Sequence, residues 1–364
     1  MERRTFVAAL AAAPFVAGAR GAAAQQRSFA PAPGRWRTFE TVTRVEIAEA
    51  SGPTQVWVPV PAVQSPWQQS LPSTWTGNMR EATLAKDAVY GAEMVHARWD
   101  SGTPAPVIEV VSRVRTQDRA VDWANPSGTH AARTELELAL QPTELMPLDG
   151  IVRKTAADAT RGLRSPGDKV RALYDWVVAN THREPTVRGC GVGDIRAMLE
   201  TGNLSGKCAD INALFVGLCR AAFVPARDVY GIRVAPSAFG YRELGANATD
   251  ITKAQHCRAE VWLEGHGWTA MDPADVGKVM RMETPEWLKD PRHPVVAPVH
   301  RALFGGWEGN WMAYNFAHDV ALPGSRHAKV GFLMYPQAET RGERVDSLDP
   351  ETFRYRITTR EITA

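Results

Sequence analysis

Between Trp36 and Ile47 apolar and polar side chains alternate. Phe39, Thr41, Thr43, Val45 and Ile47 share one face, while Glu40, Arg44 and Glu46 lie mainly on the other. A period of two predicts a half-buried strand. Further β-like stretches follow at 54–60, 87–97, 107–115 and 134–140, punctuated by Pro and Gly clusters. No convincing helical pattern interrupts them, so 36–145 reads as a β-sandwich-like domain. After Pro147 the period lengthens. Val170, Leu173, Tyr174 and Val177 stand at helical spacing within 166–181, with Pro166 near the start. A Gly-rich loop at 188–193 and a short helix through Met198 and Leu199 come next. In 208–222 the stripe of Ile211, Leu214, Phe215, Leu218 and Ala222 predicts a helix with one buried face. Strands are expected near 227–234, 257–263 and 268–272. The tail carries strand-like pieces at 329–335 and 352–359 and reads as an extension packed on the other two units. The expected units are therefore 36–145, 146–290 and 291–364.

The amino terminus carries a different pattern. Arg3 and Arg4 precede an apolar stretch from Phe6 to Val16, followed by small residues ending Ala22-Ala23-Ala24. That order predicts a cleaved signal peptide over 1–24, with 25–35 as a flexible leader. The paired arginines resemble a twin-arginine export signal, which implies a periplasmic or secreted protein. The apolar run is shorter than the roughly 20 residues of a spanning helix, so no membrane span is expected in the mature protein. Removing 1–24 leaves 39 basic and 39 acidic residues. That balance argues against a nucleic-acid partner, which requires a clustered positive surface. The oligomeric state is open.

Candidate chemistry lies in the middle third, which holds all four cysteines, 190, 208, 219 and 257. Cys208 follows Gly206-Lys207 at the start of the predicted helix. A thiol there feels the positive end of the helix dipole, which favours thiolate, and Gly206 allows backbone and substrate to approach closely. Cys219 is mid-helix and reads as packing. A thiolate enzyme needs a base. His256 starts a strand whose side chains alternate, Cys257, Ala259, Val261 and Leu263 against Arg258, Glu260 and Trp262. The chain then turns and returns through Trp268–Met271 to Asp272-Pro273. A three-residue turn, Leu263-Glu264-Gly265, puts His256 directly opposite Asp272; a four-residue turn would offset them. Cys257 points to the other face and reads as packing, or as a disulfide partner of Cys190. Asp210 and Asn212 either line the cleft or act as caps. The aromatic segment 307–319, with His318, reads as packing at a domain seam. No CxxC or HExxH occurs, so neither a metal nor any other cofactor is expected.

GKCADINALFVGLCRAAFVPAR resembles the nucleophile segment of the transglutaminase-like superfamily, and AQHCRAEVWLEGHGWTAMDPAD resembles its His and Asp strands. The match covers about 166–278, and VWVPVPAVQSPWQQ at 56–69 is similar to the amino-terminal domain of bacterial members. One departure is visible: Phe223 stands where members usually have Gly before the Val-Pro-Ala-Arg element. The resemblance implies an α+β fold with a papain-like transglutaminase core, preceded by the β-sandwich-like domain and followed by the β-rich extension. It also implies acyl transfer on peptide or protein amides, with Cys208 as nucleophile, His256 as base then acid, and Asp272 as orienter. Hydrolysis is favoured over crosslinking, since nothing marks an amine-donor site. The oxyanion would meet the Cys208 N–H and one further donor. Relatives use a Gln shortly before the Cys or a Trp upstream; here Gly202 holds that Gln spacing, leaving Asn203 beside it or Trp176, and Cys190 is a further substrate-contact candidate. The competing reading is a catalytically silent binding module of the envelope.

Overall fold

The computed structural model describes residues 27–362 apart from positions 49 and 127. The predicted signal peptide lies outside the described residues. Two antiparallel sheets are built mainly from the amino-terminal strands. Arg37–Ile47 and Val107–Thr116 anchor one, and Thr54–Pro59 and Glu93–Trp99 anchor the other. Their facing side chains, among them Val45, Ile47, Val56, Val58, Val95, Ile108 and Val110, form one apolar seam. The period-two face from Phe39 to Ile47 is buried along its length. Glu40 on the other face is buried as well, because Arg113 and Arg360 hold its carboxylate at 2.8 and 2.6 Å.

One expectation changes here. Residues 134–140 are not a strand: Arg133–Leu138 is helical. The apparent alternation there is Glu and Leu, both strong helix formers, and Arg133 pairs with Glu137 one turn on at 2.7 Å. The tail from 291 is β-rich and packs on both other units. Phe353–Ile362 pairs with Thr38–Ile47, and Gln337–Thr340 pairs with Thr54–Trp57. The carboxy-terminal strands thus cover edges that the amino-terminal strands would otherwise expose.

A further four-stranded sheet is antiparallel, in the order Gly267–Met271, Gln255–Leu263, Ala226–Arg233, Trp311–Asn315. The segment read as a seam therefore supplies its fourth strand. The Cys208–Ala221 helix packs against this sheet and against Gly150–Ala159 and Pro166–Asn180. All fourteen of its residues are buried, so the expected single apolar face is too narrow. Small residues make the second face: a Cβ on Gly217 would lie 2.3 Å from Ile195 Cδ1. Arg220 is tolerated because it donates to the carbonyls of Ala226 and Gln141.

Just past the end of this helix stands Phe223, which is 74% exposed and held at φ 65°. Val224 N–H donates back to the Cys219 carbonyl, closing a left-handed cap of the kind glycine occupies without strain. A non-glycine residue there costs about 1 kcal/mol. Phe223→Gly is expected to stabilise the protein by about 0.5–1 kcal/mol, which urea unfolding would detect. An unchanged or lower stability would mean that the contact of Arg153 with the Phe223 ring offsets the strain.

Candidate active site

Cys208 is the first residue of its helix, so its side chain stands where the unsatisfied backbone N–H groups gather. Asp210, two residues on, organises the approach. One carboxylate oxygen accepts from Lys207 N–H at 2.9 Å, and the other accepts from Val192 and Gly193 N–H, each at 2.9 Å. Ala209 N–H donates to the Cys190 carbonyl. The Gly-rich loop is thereby fastened to the helix start. Gly206 and Gly191 are needed for this packing, since Cβ atoms there would fall 2.5 Å and 1.8 Å from Asp210 atoms. Gly206 thus makes room for the carboxylate rather than for substrate, and Asp210 is a cap.

The return hairpin differs in register from the expectation. Trp262 pairs with Trp268 and Leu263 with Gly267, leaving Glu264-Gly265-His266 as the turn. Gly265 and Gly267 both have positive φ, and together they begin the turn one residue later than expected. Continuing that register puts Arg258, not His256, across from Asp272. His256 lies two residues further along the same face, a diagonal that a ring can span. His256 Nε2 donates to Asp272 Oδ2 at 2.7 Å, which leaves Nδ1 for the thiol. Asp272 also caps the following helix, its Oδ1 accepting from Asp275 N–H at 3.0 Å. Asn212 is fully buried and bridges the parts: its amide donates to the Cys257 carbonyl at 2.8 Å and to Asp272 Oδ1 at 3.3 Å, and its oxygen accepts from Ala274 N–H.

The pattern of residues does not announce the second tier of charges. Asp275 Oδ2 lies 3.3 Å from His256 Nε2 and its other oxygen accepts from Arg233 at 2.6 Å. Arg258 Nε stands 3.5 Å from Asp272. The only available signal is the Asp-Pro-Ala-Asp spacing, which places two carboxylates one helical turn apart. Burial pushes the His256 imidazolium down, but Asp275 and Asp272 outweigh it and raise its pKa to about 9. Asp275 is held well below the usual carboxylate range by Arg233 and His256 against its burial. Burial and the neighbouring Asp275 push Asp272 upward. Cys208 is shifted well below an ordinary thiol, with Cys190 and Cys257 as the largest contributors and the charged His256 beside them, against its burial.

Cys190, Cys208 and Cys257 therefore form one cluster of free thiols. Cys257 lies within interaction reach of the nucleophile. Cys190 Sγ donates to the Gln255 carbonyl at 3.4 Å, and no Cys190–Cys257 disulfide is formed. Cys219 is apart from them, and burial alone pushes its thiol up. Cys208 and His256 border a cavity of about 350 Å³, and Cys190 borders a second of about 620 Å³. Asn203 and Trp176 border neither. Asn203 is exposed and accepts from Ser205 N–H and Oγ, and Trp176 packs against the core. Among the described residues, the Cys208 N–H is donated to no protein acceptor.

His256, Asp272 and Asp275 bring three ligand-type atoms within 4.8 Å of one another. Arg233 and Arg258 already supply positive charge beside those carboxylates, so the pair suits a protonated His256 better than an added metal cation.

Residues 153–273 match the family model described as the transglutaminase-like superfamily. An uncharacterized protein of Haemophilus influenzae is 34% identical over 321 residues, covering 84% of this chain and 86% of its own length. Among solved structures, a proposed cysteine protease from Cytophaga hutchinsonii superposes with a TM-score of 0.50 at 15% identity, over 90% of this chain and 99% of that one. The periplasmic domain of TgpA from Pseudomonas aeruginosa matches at a TM-score of 0.37 and 15% identity, over 76% of this chain and 98% of that domain. Among the described residues no helix is long and apolar enough to cross a membrane. With its central helix beginning at a thiol and its hairpin carrying histidine and aspartate, the chain belongs to the transglutaminase-like superfamily.

Proposed function

We propose that the protein is an exported cysteine enzyme that cleaves peptide or protein amides through a thioester. Cys208 thiolate attacks the carbonyl carbon, and the C=O electron pair moves onto oxygen. The Cys208 N–H at the helix start offers one donor for that oxyanion. His256 imidazolium gives its proton to the leaving amine, the C–N bond breaks, and a Cys208 thioester remains. Neutral His256 then takes a proton from water, which displaces the thiolate and restores the ion pair. Asp272 holds the ring through Nε2, and Asp275 favours its charged form. The single observation that supports this reading most is the buried 2.7 Å contact of His256 with Asp272 beside a thiol shifted toward its anion. Export rests on the Arg3-Arg4 pattern at the amino terminus.

The test is incubation with peptides and proteins followed by mass spectrometry, comparing wild type with Cys208→Ala. Chain cleavage is the expected result. A loss of about 17 Da on joining two chains would indicate crosslinking, and a gain of about 1 Da deamidation, since an amine or water can each resolve the same acyl-enzyme. Wild type and Cys208→Ala giving identical products would leave the protein as a silent binding module.

A further inference from the structure

The two cavities flanking the nucleophile differ from the rest of this nearly neutral chain in their charge. Arg183, Lys253 and Gln255 line both, and so stand at the partition beside Cys208. Lys207 and Arg354 line the larger one. Among the described residues, none of Arg183, Lys207, Lys253 and Arg354 takes part in an ion pair, whereas the other cations there are matched. Arg188 has Asp346, Arg233 has Asp275 and Lys278 has Glu243. The one carboxylate lining either cavity is Asp250, which Arg356 holds at 2.9 Å. Among the described residues, four positive charges therefore border the cleft without an ion-pair partner.

Arg183 is the most informative of the four. Its backbone pairs with Gly206, two residues before the nucleophile, so its position is tied to that of Cys208. Its Nε is buried and lacks a hydrogen-bond partner. A buried guanidinium N–H left unmade is costly, and a planar carboxylate is its best-matched acceptor. The larger cavity adds apolar surface from Leu348, Phe353 and Tyr355 beneath this charged rim. Low-dielectric walls with charges of one sign focus the field into the cleft and raise the local concentration of the opposite sign.

We infer that the cleft selects acidic peptides, with a substrate carboxylate seated between Arg183 and Lys253 next to the acyl group presented to Cys208. This deepens the enzymatic reading above by naming its substrate class. Lys207 and Arg354 extend the same preference into the larger cavity, whose apolar floor takes a neighbouring nonpolar side chain.

The experiment measures binding rather than turnover, using the full-length Cys208→Ala chain. Fluorescein-labelled peptides that differ only in Glu, Gln or Lys at three positions are titrated by anisotropy. The Glu set is expected to bind about tenfold or more tightly than the Gln set, as a charge-assisted contact allows. That advantage should shrink as salt rises from about 50 to about 300 mM, which shortens the screening length. Arg183→Gln and Lys253→Gln should each remove most of the advantage by lowering Glu-set affinity far more than Gln-set affinity, and Arg183→Lys should restore part of it. Lys253 is exposed, so Lys253→Glu tests the idea without threatening the fold; it should move preference toward the Lys set. Equal binding of Glu and Gln sets, no binding of any set, or indifference to both substitutions would overturn the inference. Because the nucleophile is absent, acid-selective binding with no wild-type turnover would overturn only the enzymatic reading, and wild-type turnover that ignores peptide charge would overturn only this one.

Discussion

His256→Ala is expected to move iodoacetamide labelling of Cys208 to higher pH and to lower peptide turnover by about a thousandfold or more. In the wild type the thiol is deprotonated well below the usual range, and His256 stays charged until about pH 9. Between those limits the pair is a thiolate facing an imidazolium. Turnover should therefore rise through the Cys208 ionisation and fall as His256 loses its proton near pH 9. Labelling, which needs only the thiolate, should persist above that. The same shift has a stability consequence. The folded His256 pKa lies above its unfolded value of about 6.5, so its contribution is fully present below about pH 6.5 and is lost as pH rises through about 9. His256→Ala should flatten that part of the stability profile. Wild-type labelling that climbs only above about pH 8.5, the range of an unassisted thiol, would sink the ion-pair account.

What the amino-acid pattern reveals about such a site is set by how local its causes are. Cys208 at a helix start is legible because the apolar spacing from Ile211 to Ala222 locates the helix. The strand of His256 and the strand ending at Asp272 are legible because a glycine-containing turn separates two alternating runs. The register between them is not, because two left-handed glycines compete to set the turn. That Asn203 borders neither cavity has a similar origin. Sequence distance from Cys208 says nothing about which way the Asn203 side chain turns, and it turns back to Ser205. Asp275, Arg233 and Arg258 are hidden for a stronger reason. Each is an ordinary charged residue on its own element, and only the crossing of two strands and a helix brings them together. The carboxy-terminal strands pair with residues roughly three hundred positions earlier, and no local period records such a partnership.

Those hidden charges carry the other large effect. Arg233→Met is expected to destabilise the protein by about 3–5 kcal/mol at neutral pH, since it strands a buried carboxylate. Asp275 and Asp272 are both essentially inaccessible to water. Arg233 is the strongest counterion of Asp275, at 2.6 Å, and its other nitrogen donates to the Leu244 carbonyl. Without it, two neighbouring carboxylates share His256 and Arg258. The sign of the pH dependence follows. In the wild type Asp275 is depressed, so its contribution is present above the unfolded carboxylate range and is lost as pH falls through the folded value. In Arg233→Met the depression is removed and Asp275 takes up a proton more readily. The deficit relative to wild type should therefore shrink as pH falls from about 7 toward about 5, and urea unfolding at both values would measure it. Asp275→Asn combined with Arg233→Met should recover much of the loss, because a neutral amide no longer demands a counterion. The double variant should shift the alkaline limb of turnover little, since Asp275, which raises the His256 pKa, and Arg233, which lowers it, are removed together. A single Arg233→Met variant within about 1 kcal/mol of wild type at both pH values, the scale of an exposed ion pair, would show that the buried charges of this site do not depend on one another.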